Sequence, residues 1–199
     1  MEDRAIVQKI LAGELNAFEI IVNNNQKLVA HVVFKMVHQT ADREEVCQDV
    51  FIKVYENLKS FQFNSKLSTW IARIAYNTCL NYLQKKKLPL YEDISAKYED
   101  SEHEPVSEGF VENIWGGSAN PEVTAMQQQT SAHLKKEIDR LPAQYRTIIT
   151  LYHLDEMSYQ EIGQVLNMPE GTVKSYLFRA RRMLKDKLLE KYMEEELIS

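Results

Sequence analysis

Apolar residues in the first 87 positions recur at helical spacing, and few Gly or Pro residues interrupt them. The pattern predicts four helices, at about residues 4–12, 16–37, 42–58 and 66–86. In the third helix apolar residues return every fourth position, at Val46, Val50, Val54 and Leu58. Asp42 and Glu45 form a predicted capping box at its start. We therefore expect a small helical core built partly from this face.

The fourth predicted helix has two contrasting faces. One face is mostly apolar and carries Leu67, Trp70, Ile71, Ile74, Ala75 and Thr78. The other has no acidic residue and consists of Thr69, Arg73, Tyr76, Leu80 and Gln84. The helical period assigns the first face, including Trp70, mainly to the core and leaves the second face open to a partner.

Helical periodicity stops between Leu88 and Glu122. This segment holds nine acidic residues against one base, Lys97, together with three of the five prolines and three of the six glycines. Such a composition predicts a flexible acidic linker over residues 88–121. The apolar island from Phe110 to Trp115 is interpreted first as part of a solvated loop, and second as a docking segment.

A second helical unit is predicted for residues 122–199. A helix from about Pro121 to Arg140 is followed by one that Pro142 opens. Ser158 and Glu161 then form a predicted capping box in front of a short helix.

That short helix ends at Asn167-Met168-Pro169, because Asn tolerates the left-handed conformation that ends helices and Pro169 can open the next helix. The inner side of the first helix is Ile162, Val165 and Leu166, and the buried stripe of the second is Val173, Leu177, Ala180 and Leu184. Gly163 is expected only to soften the first helix, by roughly 1 kcal/mol. Two amphipathic helices with so short a connection predict a helix-turn-helix.

The second of these helices has a basic outer face. Residues 170–187 hold six bases and two acids. The outer face consists of Thr172, Lys174, Ser175, Phe178, Arg179, Arg181 and Arg182. Cations that anchor phosphates, interleaved with hydroxyl and aromatic groups that reach base edges, suit the major groove of double-stranded DNA. A solvated amphipathic hairpin is the alternative, but cap, turn, second helix and clustered charge together favour DNA binding.

Composition and charge agree with this interpretation. The 199 residues fit two compact units, and 6 Gly and 5 Pro leave little material for turn-rich β structure, so we predict an all-α fold. The net charge of −5 argues at first against nucleic-acid binding. Outside residues 88–122, however, there are 23 bases and 20 acids, and residues 66–87 hold five bases and no acid.

Several other classes of protein are disfavoured. No apolar run approaches the roughly 20 residues that cross a bilayer, and the acidic start does not resemble a signal peptide, so we expect a cytoplasmic protein. Cys47 and Cys79 lack a CxxC pattern and are interpreted as buried reduced thiols. We find no phosphate loop, catalytic triad or metal cluster, and therefore expect no enzyme activity, cofactor, metal or small-molecule substrate.

Two sets of motifs resemble the extracytoplasmic-function (ECF) class of bacterial RNA polymerase sigma factors. MSYQEI at 157–162, GTVKS at 171–175 and FRAR at 178–181 resemble its region-four domain. DREEVCQDVF at 42–51 resembles the region-two helix that grips the polymerase clamp. FQFNSK at 61–66 and TWIARIAYN at 69–77 resemble the promoter-melting and minus-10 segment. The resemblance implies a region-two-like domain at 1–87 and a region-four-like domain at 122–199.

The resemblance also implies three groups of functional residues. Contacts to the minus-35 duplex fall on Thr172, Lys174, Ser175, Phe178, Arg179, Arg182 and Tyr159. Contacts to the minus-10 strand fall on Phe61, Phe63, Asn64, Lys66, Arg73, Tyr76 and Asn77. Contacts to core polymerase fall on Asp42, Glu45, Gln48, Asp49 and Ile52. Tyr176 stands where relatives usually carry Arg, and Tyr152 lies near another commonly basic position, which predicts a different backbone affinity or preferred sequence.

The implied function is a sigma factor that binds core RNA polymerase through the clamp of the largest subunit and directs promoter-specific initiation on promoter DNA. Many relatives are held inactive by an anti-sigma factor, so this class of partner is implied too. The alternative is a stand-alone helix-turn-helix regulator with an N-terminal sensing or dimerisation domain. It leaves the acid-free aromatic face of the fourth helix unexplained. An enzyme with an appended DNA-binding module has little in its favour.

Overall fold

The computed structural model of the protein describes residues 2–86 and 134–198. These residues form helices and turns without a β-strand, which confirms the all-α prediction. The predicted linker at 88–121, its apolar island and most of the predicted helix before Arg140 lie outside the described residues.

The front unit consists of four α-helices. They are α1 (Glu2–Leu11), α2 (Ala17–Met36), α3 (Thr40–Asn57) and α4 (Leu67–Lys85), with a 3-10 turn at Leu58–Ser60. The predicted apolar face of α3 is buried, since Val50 and Val54 are fully inaccessible and pack with α2 and α4. Burial of such side chains stabilises a fold by about 1.5–3 kcal/mol each.

The predicted capping box at Asp42 is wrong. α3 begins three residues earlier than the box requires, at Thr40 after Gln39, and its start has no side-chain cap. The Asp42 carboxylate instead accepts hydrogen bonds from the Tyr82 hydroxyl and, at 3.0 Å, from Lys86 Nζ. These two bonds, Tyr82 first, lower the pKa of Asp42. Asp42 therefore ties α3 to the end of α4.

The second unit consists of helical residues 134–139 and three further helices, α5 (Ala143–His153), α6 (Tyr159–Leu166) and α7 (Glu170–Ile198). The second capping box is confirmed: the Glu161 backbone N–H donates to Ser158 Oγ, and the Ser158 N–H donates to the Glu161 carboxylate. Asn167 ends α6 in the left-handed conformation, with φ 55°. α6 and α7 thus form the predicted helix-turn-helix.

Gly163 has a role that its helix propensity does not reveal. A Cβ at this position would lie 2.7 Å from the Met168 carbonyl oxygen, and the Met168 N–H donates to the Gly163 carbonyl oxygen. Glycine is needed here because the chain folds back closely over α6. The expectation that Gly163 only softens the helix was therefore incomplete.

The two units pack against each other, α2 on α5 and α4 on α6; we call this contact the seam. Three ion pairs of the described residues cross it: His31 Nδ1 lies 2.8 Å from Asp155 Oδ1, Lys35 Nζ lies 2.5 Å from Asp139 Oδ1, and Lys66 Nζ lies 2.8 Å from Glu161 Oε1. The buried Arg146 side chain also crosses it. The seam brings the loop before α4 into contact with the helix-turn-helix.

Within the described residues, none of the helices combines the length and apolarity that a membrane span requires. The same part of the chain has no group of His, Cys, Asp and Glu side chains suited to a metal ion. The Cys79 thiol is buried, and burial raises its pKa to about 12, so it is an unreactive packing residue.

Candidate nucleic-acid interface

The N-terminal half of α7 presents the basic face that the sequence predicts. Lys174 and Ser175 are exposed, while Thr172, Phe178, Arg179 and Arg182 are half-buried. Val173 and Leu177 anchor the helix from below, being 0% and 1% exposed. Lys174 Nζ lies 2.7 Å from Glu170 Oε1 and 5.3 Å from the centre of the Tyr159 ring. The helix therefore offers a cation, a hydroxyl and an aromatic ring to one surface.

Arg181 departs from the predicted outer face. It is 6% exposed, and its guanidinium lies 5.2 Å from the centre of the Tyr152 ring. Arg181 follows the buried Ala180 on the helix, and its side chain points toward α5, where it contacts the Tyr152 ring. Arg181 is therefore an internal cation of the second unit.

Tyr176 and Tyr152 also pack inward, each against another tyrosine. Tyr176 stacks on Tyr145, with ring centres 5.1 Å apart and an interplanar angle of 26°. Tyr152 stacks on Tyr159 at 5.2 Å and 7°. Offset aromatic stacking stabilises such pairs by about 0.5–1.5 kcal/mol beyond the burial of area. These rings hold the helix-turn-helix together from α5.

An aromatic cluster lies in the loop before α4. Phe61 is 7% exposed, and its ring centre lies 4.6 Å from that of Phe63 and 5.1 Å from that of Trp70. Phe63 has φ 59°, a left-handed conformation that costs a residue with a Cβ about 1–2 kcal/mol. This backbone turns Phe63 outward, to 36% exposure, under the Arg4 guanidinium at 5.0 Å. Arg4 was not among the predicted residues.

The open face predicted for α4 is partly covered. Arg73 and Asn77 are exposed, but Thr69 and Tyr76 are buried, at 1% and 5% exposure. The second unit packs on this face, and a side-chain hydrogen bond links Tyr76 to Gln144. Burial raises the pKa of Tyr76 against the opposing effect of that bond. The predicted open face of α4 was therefore wrong at these two positions.

Trp70 was predicted to be mainly core, yet it is half-buried because it lines a cavity of about 330 Å³. The cavity, which we call the loop cavity, lies between the loop and α4, and Phe61, Asn64 and Arg73 contribute to its walls. Gln164 of α6 closes one side. Aromatic rings, an amide and a guanidinium around a cavity suit an unstacked DNA base.

Lys66 follows Ser65, which lines this cavity, and forms an ion pair with Glu161 of the second unit. Its ion pair with Glu161, followed by the hydrogen bonds from Ser158, lowers the pKa of Glu161 to about 2 in spite of burial. The same pair raises the pKa of Lys66. A predicted DNA-binding cation is thus neutralised by the capping residue of α6.

An acidic stripe with an apolar end follows the outer side of α3. Glu45, Gln48, Asp49 and Ile52 are all exposed, Ile52 by 55%. Asp42, the fifth predicted residue of this group, is half-buried in its contacts with α4. Tyr55 continues the apolar end at 45% exposure. The stripe suits a partner helix that is basic and apolar.

The fold defines a two-unit helical protein whose second unit contains a helix-turn-helix with a basic face. Family models agree: residues 21–88 match Sigma-70 region 2, and residues 133–184 match Sigma-70 region 4.

Curated relatives extend this match to almost the whole chain. The ECF RNA polymerase sigma factor SigW of Bacillus subtilis is 32% identical and aligns with 92% of this chain and 94% of its own length. The ECF RNA polymerase sigma-E factor of Escherichia coli is 34% identical over 94% and 95%. The chain belongs to the ECF RNA polymerase sigma factors. It is therefore a transcription-initiation subunit and not an enzyme.

Solved structures support the same fold. CnrH in complex with the cytosolic domain of CnrY has a TM-score of 0.60 at 20% identity, covering 94% of this chain and 97% of CnrH. RpoE of Bartonella quintana in complex with the anti-sigma factor NepR has a TM-score of 0.59 at 19% identity, covering 86% and 96%.

Proposed function

We propose that this sigma factor divides its work between two domains, 1–87 and 122–199, joined by the acidic segment 88–121. The ranges of the two family models support the division. The observation that carries the proposal is the placement of a basic helix face on α7 and an aromatic, acid-free cavity beside α4, on separate helical units. Two such surfaces suit a promoter with two separated elements.

The domain at 122–199 reads the minus-35 duplex. Lys174, Ser175, Phe178 and Arg179 reach base edges, and Thr172, Tyr159 and Arg182 lie nearer to phosphates. The exposure of Lys174 and Ser175 at the N-terminal end of α7 supports this assignment, because recognition helices contact bases with their first turns.

The domain at 1–87 holds the minus-10 element as a single strand. Phe61 and Trp70 form the aromatic floor, and the exposed side chains of Phe63, Asn64, Arg73 and Asn77 surround it. Stacking and a basic track bind an unpaired strand without requiring a duplex. Lys66 and Tyr76 join this surface only when the second domain moves away.

The seam therefore describes a closed form that is unsuited to promoter reading. Glu161 pairs with Lys66, Gln144 contacts Tyr76, and Gln164 closes the loop cavity. Core polymerase binds, through the clamp of its largest subunit, to the stripe of Glu45, Gln48, Asp49 and Ile52. This binding separates the two domains and exposes Lys66, Tyr76 and the loop cavity. An anti-sigma factor that stabilises the closed form would keep the chain inactive. RpoE of Bartonella quintana has been solved in complex with an anti-sigma factor, NepR. The site of action is the cytoplasm.

A reconstituted transcription assay tests this function. The purified chain is mixed with core RNA polymerase and templates that carry candidate minus-35 and minus-10 elements, and transcripts are mapped. Transcripts that require both the chain and the promoter are expected. Tight operator binding by the chain alone, without binding to core polymerase, would instead favour a stand-alone regulator.

A further inference from the structure

The seam is sorted by charge. In the part of the chain that the structure describes, every ion pair of the seam has its basic group on the front unit and its carboxylate on the second unit. Two of these pairs start from α2, where His31 meets Asp155 and Lys35 meets Asp139. The seam therefore joins a basic surface of α2 to an acidic surface of the second unit.

The basic groups of α2 form a single stripe. Lys27, His31 and Lys35 follow one another at four-residue spacing, which places them about 6 Å apart along the helix. We call these three residues the basic ridge. No acidic residue follows Glu19 in α2. Lys27 is exposed, whereas the side chains of His31 and Lys35 are only 22% and 15% exposed where the second unit covers them.

The carboxylate of Asp155 is bound to the ridge at some cost. Burial raises the pKa of Asp155, and the hydrogen bond from His31 and the charge of Lys27 oppose this effect. The ridge thus favours the anionic form of a group that lies on it. Asp155 Oδ2 is buried and accepts no hydrogen bond from a described residue, so the second unit satisfies this anion incompletely.

The ridge suits the phosphate backbone of duplex DNA. Ammonium groups and ring N–H groups bind phosphates, and such contacts position a protein on DNA without reading its bases. The ridge is about 12 Å long, which covers roughly three phosphates of one strand when the helix lies along the duplex. A single strand is held instead by aromatic stacking, and no Phe, Tyr or Trp belongs to the ridge.

We propose that the basic ridge of α2 binds the phosphate backbone of duplex promoter DNA, and that Asp139 and Asp155 take the place of phosphates on it in the closed form. The proposal rests on the separation of the two domains by core polymerase. α2 packs against α4, so the duplex bound by the ridge borders the minus-10 element. None of the ridge residues belongs to the three predicted groups of functional residues.

The first test uses holoenzyme reconstituted from the full chain and core polymerase, titrated with a duplex promoter fragment at several salt concentrations. Lys27→Gln removes an exposed charge of the ridge. It is expected to weaken duplex binding about three- to tenfold and to reduce the magnitude of the slope of log K against log salt by about 0.9. Binding to a single-stranded minus-10 oligonucleotide is expected to stay the same. Lys9→Gln, which removes an exposed charge from α1, is the matched control and is expected to change neither quantity.

A charge exchange separates DNA binding from stability of the seam. Lys35→Asp places a second carboxylate opposite Asp139 and is expected to increase the radius of gyration of the free chain in small-angle scattering. Addition of Asp139→Lys restores an ion pair and is expected to restore the compact radius. Holoenzyme with both substitutions is nevertheless expected to bind the duplex about tenfold or more weakly than the unmodified protein, because a carboxylate has replaced an ammonium group on the ridge.

Three outcomes overturn the proposal. One is an unchanged salt slope in Lys27→Gln, another is an equal loss in Lys9→Gln, and the third is full duplex affinity in the double variant, which would show that Lys35 serves only the seam. Thermal unfolding identifies any variant that fails to fold, and the exposed Lys27 provides one that leaves packing intact.

The single-stranded oligonucleotide distinguishes failure of this proposal from failure of the proposed function. If holoenzyme binds the oligonucleotide while the ridge variants keep full duplex affinity, only the ridge assignment fails. If holoenzyme does not bind the oligonucleotide at all, the minus-10 role of the front domain fails as well.

Discussion

Arg146→Ala is expected to open the seam. The Arg146 side chain is 2% exposed and donates across the seam to the Lys35 carbonyl oxygen and to His38 Nε2, the latter at 3.1 Å. A third bond, to the Asp139 carbonyl oxygen, stays within the second unit. Burial, and next Arg146 itself, lowers the pKa of His38, which keeps the ring neutral and able to accept.

The magnitude follows from the two bonds that cross the seam. A hydrogen bond from a charged donor contributes about 1.5–3 kcal/mol, and water replaces part of it when the seam opens. Loss of both bonds is therefore expected to cost the closed form about 2–4 kcal/mol. Since each 1.4 kcal/mol is a factor of ten, the ratio of open to closed molecules rises roughly 30- to 700-fold.

Small-angle scattering and DNA binding measure this change. The radius of gyration of free Arg146→Ala is expected to exceed that of the unmodified chain, and its affinity for a single-stranded minus-10 oligonucleotide is expected to rise, because Lys66 and Tyr76 are released. Arg140→Ala is the control: Arg140 pairs at 2.6 Å with Glu137 in its own unit. If both variants keep the compact radius and the original oligonucleotide affinity, Arg146 does not hold the domains together.

Three further predictions concern single side chains. Asp49→Arg reverses an exposed charge on α3 and should weaken core polymerase binding in a pull-down titration. Binding of the chain to the minus-35 duplex should stay unchanged. An unaltered affinity for core polymerase would show that Asp49 is not in the interface. Arg179→Ala should lower discrimination between minus-35 sequences by about 1–3 kcal/mol in competition binding, whereas an equal loss on every sequence indicates a phosphate contact. Burial, and then Arg181, lowers the pKa of His153 from 6.5 to about 4, so an unfolded chain takes up a proton before the folded one and stability falls as pH drops from 6.5 toward 4. After solvent screening, the free energy of unfolding is expected to fall by about 1–2 kcal/mol over this pH range. In denaturant unfolding at several pH values, His153→Phe should lose this dependence of stability on pH. The same pH dependence in His153→Phe and the unmodified chain would contradict the assignment.

Local sequence patterns predicted the helix-turn-helix well, because its determinants act within a few residues. The Ser158–Glu161 box joins neighbouring backbone groups, Asn167 adopts the left-handed conformation by itself, and the stripe through Val173 and Leu177 follows the helical period. The same reasoning failed at Asp42, because the capping motif does not reveal that the helix has already begun at Thr40.

The contact between the two units at the seam was not predicted from the sequence. Helical periodicity states which residues share a face, but not which element covers that face, so Thr69 and Tyr76 of α4 looked open until the second unit was found to pack on them. His31 and Asp155 are 124 positions apart, and no local signal joins them.

The sequence by itself thus determined the helices, the basic outer face of α7 and, through its motifs, the ECF sigma factor family. These features depend on periodicity, capping chemistry and charge, all of which can be counted along the chain. Only the tertiary structure decided that Gly163 must lack a side chain, that Arg181 is internal and that the capping residue Glu161 also pairs with Lys66. Each of these depends on distances between segments that the chain brings together only on folding.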